Sequence, residues 1–281
     1  MKRNVLVGQS GGPTAAINSS LAGVYHAAKL NGANKVYGMI HGIEGLLKEC
    51  VIDLSEHIIS DIDEKVLMKT PSAFLGSCRF KLPDIKNDVE LYERIFHIID
   101  KLDVELFIYI GGNDSMDTIK KLSDYARQIG HTTRFVGCPK TIDNDLADTD
   151  HCPGYGSAAK YIAVSVKEII RDTYCQEYKD GVVTIVEIMG RNAGWLTGAA
   201  ALVDGRDAVK PDLIYLPEVD FDIEAFLKKV GELLEKKPFV VVAISEGIHN
   251  SEGTLISELA NKDAFVDSFG HRQLSGTANY L

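Results

Sequence analysis

Three short stretches of the sequence combine residue types that could handle phosphate. In Gly8-Gln9-Ser10-Gly11-Gly12-Pro13-Thr14, two glycines stand where an apolar run ends and a helical pattern begins. Without Cβ atoms, Gly11 and Gly12 let the backbone turn sharply and offer N–H groups to an anion at a helix start. The stretch lacks the G-K-[ST] of a P-loop and is not G-x-G-x-x-G. A tight turn capped by Thr14 reads the same residues without a ligand. Gly111-Gly112-Asn113-Asp114-Ser115 repeats the arrangement and sets a carboxylate in the first turn of a helix, with capping by Asp114 or Ser115 as the plain alternative. In Pro139-Lys140-Thr141-Ile142-Asp143-Asn144-Asp145, two carboxylates flank an amide. They could hold Mg²⁺ through oxygens or waters, or one could take a proton from a hydroxyl. Lys140 adds an ammonium charge beside them. An Asx-rich turn explains Asp-Asn-Asp but not the Pro-Lys-Thr ahead of it.

These stretches need elements to position them. Short β-branched or aromatic runs at 4–7, 35–39, 106–110, 134–137, 182–188, 213–216 and 239–245 read as strands. Several are continuously apolar, as strands covered on both faces are. Helical patterns at 15–30, 89–101, 116–129, 158–173, 193–203 and 223–236 alternate with them. Strand then helix, repeated, predicts parallel sheets with right-handed crossovers, in which ligands bind beyond the carboxyl ends of the strands. The polar stretches follow the strands, as do Met189-Gly190-Arg191 and Pro217-Glu218. A stretch at 148–156, containing Pro153 and Gly154, is the expected boundary between two α/β units, giving domains of 1–150 and 151–281. Trp195 is expected to be a packing residue, and Tyr174 and Tyr178 are expected at an interface or in the core.

Composition narrows the function classes. The 281 residues suffice for two cores, and 30 Lys+Arg against 40 Asp+Glu leave a net charge of −10. Such a mean field disfavours nucleic acid and membrane surfaces, so an anionic substrate needs a local cluster of cations and N–H groups. The run at 239–244 is too short to span a bilayer, and no signal-peptide core follows Lys2 and Arg3. Five cysteines without a C-x-x-C pair fit reduced thiols, which points to the cytoplasm.

Taken in order, Gly-Gly-Pro-Thr, Leu75-Gly76-Ser77-Cys78-Arg79-Phe80, Gly-Gly-Asn-Asp-Ser, Pro-Lys-Thr-Ile-Asp-Asn-Asp, Met-Gly-Arg and Pro217-Glu218 closely resemble the phosphofructokinase family. The resemblance implies two Rossmann-like α/β/α domains with mainly parallel sheets and an active site in the cleft between them. The first domain would hold the phosphoryl donor and the second fructose 6-phosphate. By matching motif, Asp143 would be the base for the C1 hydroxyl, and Asp145 would organise the metal and the transferring group. Thr141 would contact the sugar or the phosphoryl group. Met189, Gly190, Arg191 and Glu218 would surround the sugar phosphate, and Gly11, Gly12, Gly112 and Arg79 would hold the donor. Asp114 and Lys140 stand where ATP-using members carry glycine, and this pair marks the pyrophosphate-dependent subgroup. A carboxylate there repels the α-phosphate of ATP, and an ammonium suits compact pyrophosphate.

Asn113 stands where the family commonly has a metal-linked Asp, so Mg²⁺ is expected to arrive mainly with pyrophosphate, aided by Asp143 and Asp145. The resemblance also implies a homodimer or homotetramer, and a further segment past Leu281 with Arg and His contacts to the sugar phosphate. His271 and Arg272 are read as loop residues rather than replacements for those contacts. The alternatives are an ATP-dependent 6-phosphofructokinase and, from a different class, a non-catalytic sugar-phosphate-binding regulatory subunit.

Overall fold

A computed structural model describes residues 4–203, 210–260 and 276–281. The chain divides into two compact units, Met1–Thr141 and Ile142–Leu281. The division falls ahead of the 148–156 stretch marked by Pro153 and Gly154. Asn144, with φ +57°, explains why those residues do not part the units. Its side chain donates to the Asp150 carbonyl (3.2 Å) and accepts from the Cys152 N–H (2.8 Å), which folds 143–152 into the second unit.

The first unit contains β1 (Asn4–Gln9), α1 (Ile17–Leu30), β2 (Val36–Met39), α2 (Gly42–Leu47), β3 (Val51–Asp53), α3 (Asp61–Lys69), α4 (Val89–Lys101), β4 (Val104–Gly111), α5 (Asn113–Ile129) and β5 (Arg134–Pro139). Its sheet runs β3-β2-β1-β4-β5 and is parallel except for the β2–β3 pair. Every residue of β1 is buried. Val5 and Val7 pack with Ile17, Leu21 and Tyr25 of α1. Leu6 faces the other way, among Ile95 and Ile99 of α4 and Leu122 of α5. This is the two-sided burial that its continuous apolar run predicts. From β1 the chain passes to β2 on one side and later to β4 on the other, so the order reverses between β1 and β4. The turns that follow these two strands therefore flank a topological switch point, where α/β sheets bind ligands.

The second unit contains α6 (Tyr155–Tyr174), β6 (Val182–Ile188), α7 (Trp195–Gly198), β7 (Leu213–Tyr215), α8 (Ile223–Leu234) and β8 (Phe239–Ser245), with short helices at Ile256–Ala260 and Thr277–Tyr280. Its sheet among the described residues is parallel, in the order β6-β8-β7. Central β8 turns Val241 and Ala243 toward a cluster with Val166 and Ile170 of α6. It turns Val240, Val242 and Ile244 toward Phe226 and Val230 of α8.

One strand goes unannounced by the sequence, and two expectations change. The edge strand β3 is short and antiparallel, with only three residues and no apolar run to announce it. The helix expected over 193–203 is α7 followed by a 3₁₀ segment, Ala199–Val203. Trp195, expected to pack, is 57% exposed, and Tyr174, expected in the core or at an interface, is 55% exposed and lies outside the core. α7 buries Leu196 and Thr197 instead of Trp195, and Tyr174, at the end of α6, packs edge-to-face on Phe239, with ring centroids 4.5 Å apart.

Candidate active site

In the first unit, β1 delivers its last residues into a turn whose glycine is required. Gly11 has φ +75°, and a Cβ there would lie 3.4 Å from the Lys140 ammonium nitrogen. The Gly11 N–H donates to the Cys78 carbonyl (3.2 Å), and the Ser77 hydroxyl donates to the Gly11 carbonyl. The segment that carries Arg79 is thereby fastened to the turn. Thr14 does not cap α1. The cap position is Ala16, without a side-chain hydrogen bond, and Thr14 Oγ1 is buried with no hydrogen-bond partner. Gly12 is exposed in the same turn.

The β4 turn sits beside it. Gly111 ends the strand, and a Cβ there would meet Ser115 Oγ at 2.0 Å and the Ser10 carbonyl at 3.2 Å, so the two turns approach backbone to backbone. Gly112 occupies the cap position of α5, and neither Asp114 nor Ser115 caps the helix. Asp114 instead lies half-buried in the first turn, where the helix dipole favours a carboxylate. Asn113 is exposed. The Lys140 N–H donates to the Gly111 carbonyl (2.9 Å), which extends the β4–β5 ladder and brings its side chain back over Gly11. Lys140 is only 5% exposed. Gly11, Gly112 and Lys140 thus come together, with the Ser77–Arg79 segment tied alongside. Thr141 is the last residue of this unit.

In the second unit, Asp143 and Asp145 flank left-handed Asn144, whose side chain is spent on the loop itself. Asp145 is exposed. β6 ends at Ile188, and Met189, Gly190 and Arg191 follow it. Gly190 has φ +130°, and its Cβ would meet the Ala193 carbonyl at 2.4 Å. The Gly190 N–H donates to a carboxylate oxygen of Glu246 (3.0 Å), and its carbonyl accepts from the Ser245 hydroxyl (2.6 Å). Burial raises the Glu246 pKa, opposed by the Gly190 N–H and the Arg191 charge and reinforced by Glu187. A Cβ on Gly247 would lie 1.9 Å from the Arg191 carbonyl oxygen. Glu218 is placed differently: it accepts from the Gly194 N–H (2.6 Å) at the start of α7.

Glu246 is therefore the carboxylate beside Gly190 and Arg191, and sequence reasoning missed it. The signal was available, because Glu246-Gly247 follows β8 as the other polar stretches follow their strands. His271 and Arg272 lie outside the described residues. The candidate metal ligands are hard oxygen donors only. No group of three or more His, Cys, Asp or Glu able to hold a metal occurs among the described residues. That donor set suits a cation that keeps waters and phosphate oxygens rather than an all-protein cage. No helix of the described residues is long and apolar enough to cross a membrane.

Comparison with known proteins bears on the family and the fold. Residues 4–281 match the family described as Phosphofructokinase. A pyrophosphate–fructose 6-phosphate 1-phosphotransferase of Xanthomonas campestris is 44% identical over 99% of this chain, and one of Halomonas elongata is 40% identical over 100%. The chain spans 65% and 66% of their respective lengths. A crystal structure of a pyrophosphate-dependent phosphofructokinase from Nitrosospira multiformis superposes with a TM-score of 0.80 at 36% identity, covering 92% of this chain and 66% of that one. Family match, relatives and fold agree: the chain belongs to the phosphofructokinase family.

Proposed function

We propose that this chain transfers a phosphoryl group reversibly from pyrophosphate to the C1 hydroxyl of fructose 6-phosphate, giving fructose 1,6-bisphosphate and phosphate. The observation that carries the donor assignment is the charge pattern of the first unit. A nearly buried ammonium, Lys140, stands over the Gly11 turn, and Asp114 occupies the first turn of α5. The ammonium complements a compact anion, and the carboxylate disfavours the extra phosphate and nucleoside of ATP. The names of the Xanthomonas campestris and Halomonas elongata relatives support the same reading.

In this reading the first unit holds the donor through Gly11, Gly12, Gly112, Arg79 and Lys140. The second binds the sugar phosphate through Met189, Gly190 and Arg191, with Glu246 and Glu218 fixing the turns that carry them. Thr141 contacts the sugar or the phosphoryl group. Asp143 accepts the C1 hydroxyl proton while that oxygen forms its bond to phosphorus, and the bond to the departing phosphate breaks with its electron pair on the leaving oxygen. Asp143 and Asp145, with the Asn113 amide on the donor side, are the residues that would hold Mg²⁺, which supplies charge neutralisation on the phosphate oxygens. The same reading takes a cytoplasmic homodimer or homotetramer as the working form.

Rates with pyrophosphate and with ATP test the donor. Pyrophosphate is expected to be the faster donor, and Asp114→Gly with Lys140→Gly should raise ATP use while lowering pyrophosphate use. Faster turnover of the unaltered chain with ATP would overturn the donor assignment in favour of the ATP-dependent reading.

A further inference from the structure

Residues 70–88 join α3 to α4 without a helix or strand, yet they carry Arg79. A connector of that length keeps one conformation only if other groups hold it. Two wholly buried amides do so at its start. Asn18 Nδ2 donates to the Thr70 carbonyl (2.9 Å), and Asn18 Oδ1 accepts from the Phe74 N–H (2.9 Å). Gln9 Oε1 accepts from the Leu75 N–H (2.8 Å). Gln9 Nε2 donates to Asn18 Oδ1 (3.0 Å) and to the Ile17 carbonyl (3.1 Å). Both side chains are 0% exposed.

The direction of each bond is fixed, because the Phe74 and Leu75 N–H groups can only donate. Gln9 ends β1 and Asn18 lies in the first turn of α1. The pair therefore joins the strand before the Gly11–Gly12 turn, the helix after it, and the connector. Farther along the connector, Ser10, Gly11, Ser77 and Cys78 exchange three more bonds with the same turn. Apolar side chains could fill this volume. A fully satisfied polar network instead dictates one relative placement of the segments it joins.

We infer that Gln9 and Asn18 are positioning residues of the donor turn. They hold the Gly11–Gly12 turn and the Ser77–Arg79 segment in one register, so that the anion-binding groups of both are preorganised. Naming pyrophosphate as the anion rests on the proposed function.

The test is Gln9→Met in the full chain, which keeps the volume and removes the three bonds that Gln9 makes. The matched control is Asn4→Ala at the opposite end of β1, where another buried amide donates to the Leu102 carbonyl (2.6 Å) and accepts from the Lys35 N–H (3.1 Å). Gln9→Met is expected to raise the Kd and KM for magnesium pyrophosphate about ten-fold, with a smaller change in kcat, because small misplacements of a binding surface are costly. The KM for fructose 6-phosphate should hold, and amide exchange should quicken at 8–14 and 70–79 but not in α4 or α5. Asn4→Ala should lower the melting temperature without touching pyrophosphate affinity.

Asn18→Asp keeps both acceptor bonds and loses the donation to Thr70, so it should weaken pyrophosphate binding less, and it serves if Gln9→Met fails to fold. Unchanged pyrophosphate affinity in the folded variants, or an equal loss in Asn4→Ala, would overturn the inference. If the unaltered chain binds no pyrophosphate, it is the proposed function that fails. Exchange then decides the positioning role: unchanged rates at 8–14 and 70–79 in a folded variant would refute it.

Discussion

The two units build the ends of their strands by opposite means. In the first, side chains are removed: Gly11 and Gly111 let two turns and a lysine approach one another within contact distance. In the second, carboxylates are added: Glu246 and Glu218 each accept a backbone N–H, from Gly190 and Gly194. The difference follows from the charge each end has to manage. A turn proposed to receive an anion needs exposed N–H groups and a cation, and the acid at this end, Asp114, sits in the first turn of the neighbouring helix, where the dipole favours it. A turn that presents Arg191 can be held by acids, because the guanidinium compensates them. Electrostatic polarity is thus shared between the units, although the chain as a whole is acidic.

Four variants would break or sharpen this contrast. The largest effect is expected for Asp143→Asn, which removes the proposed base and should lower kcat by about 10²–10⁴-fold. Calorimetry should show sugar-phosphate binding little changed, and an unaffected rate would remove Asp143 from the chemistry. Next come the paired glycines, compared by chemical denaturation. Gly247→Ala drives a methyl into the Arg191 backbone at 1.9 Å. Overpacking of that kind costs about 1–3 kcal/mol. It should also weaken sugar-phosphate binding and spare pyrophosphate. Gly11→Ala meets only the tip of Lys140 at 3.4 Å, at φ +75°. Its stability cost should be about 1–2 kcal/mol from the left-handed backbone, with pyrophosphate rather than sugar phosphate affected. Equal effects on both substrates from either variant would show that the two ends are not separately built.

The smallest effect is a pH dependence at Glu246. Burial raises its folded pKa above the unfolded value. Its contribution to stability is therefore fully present below the unfolded pKa and is lost as pH rises through the raised folded value. Glu246→Gln should flatten that decline in a melting-temperature series across mildly acidic to neutral pH. A slope identical to that of the unaltered chain would discard the assignment.

Much of this architecture was legible before any coordinates. The continuous apolar runs at 182–188 and 239–245 became β6 and β8 at those boundaries, because burial on both faces demands apolar residues at both parities. The antiparallel β3 escaped notice because a three-residue edge strand needs no hydrophobic pattern. Trp195 misled because a large apolar side chain carries no mark of which face of a four-residue helix will be buried. At the candidate site, the glycine turns and Lys140 were readable from residue type alone. Glu246 was passed over, and its partnership with Gly190 spans 56 positions in sequence.

By itself the sequence determined the alternation of strands and helices, the family and the polar stretches at the strand ends, since each is written in local periodicity or contiguous motif. Tertiary structure alone decided which glycine faces which lysine, which acid holds the Arg191 turn, and that Gln9 and Asn18 tie a helix, a strand and a long connector together. Those outcomes depend on hydrogen bonds and contacts between residues far apart in the chain, and distance in space is not encoded in any local pattern.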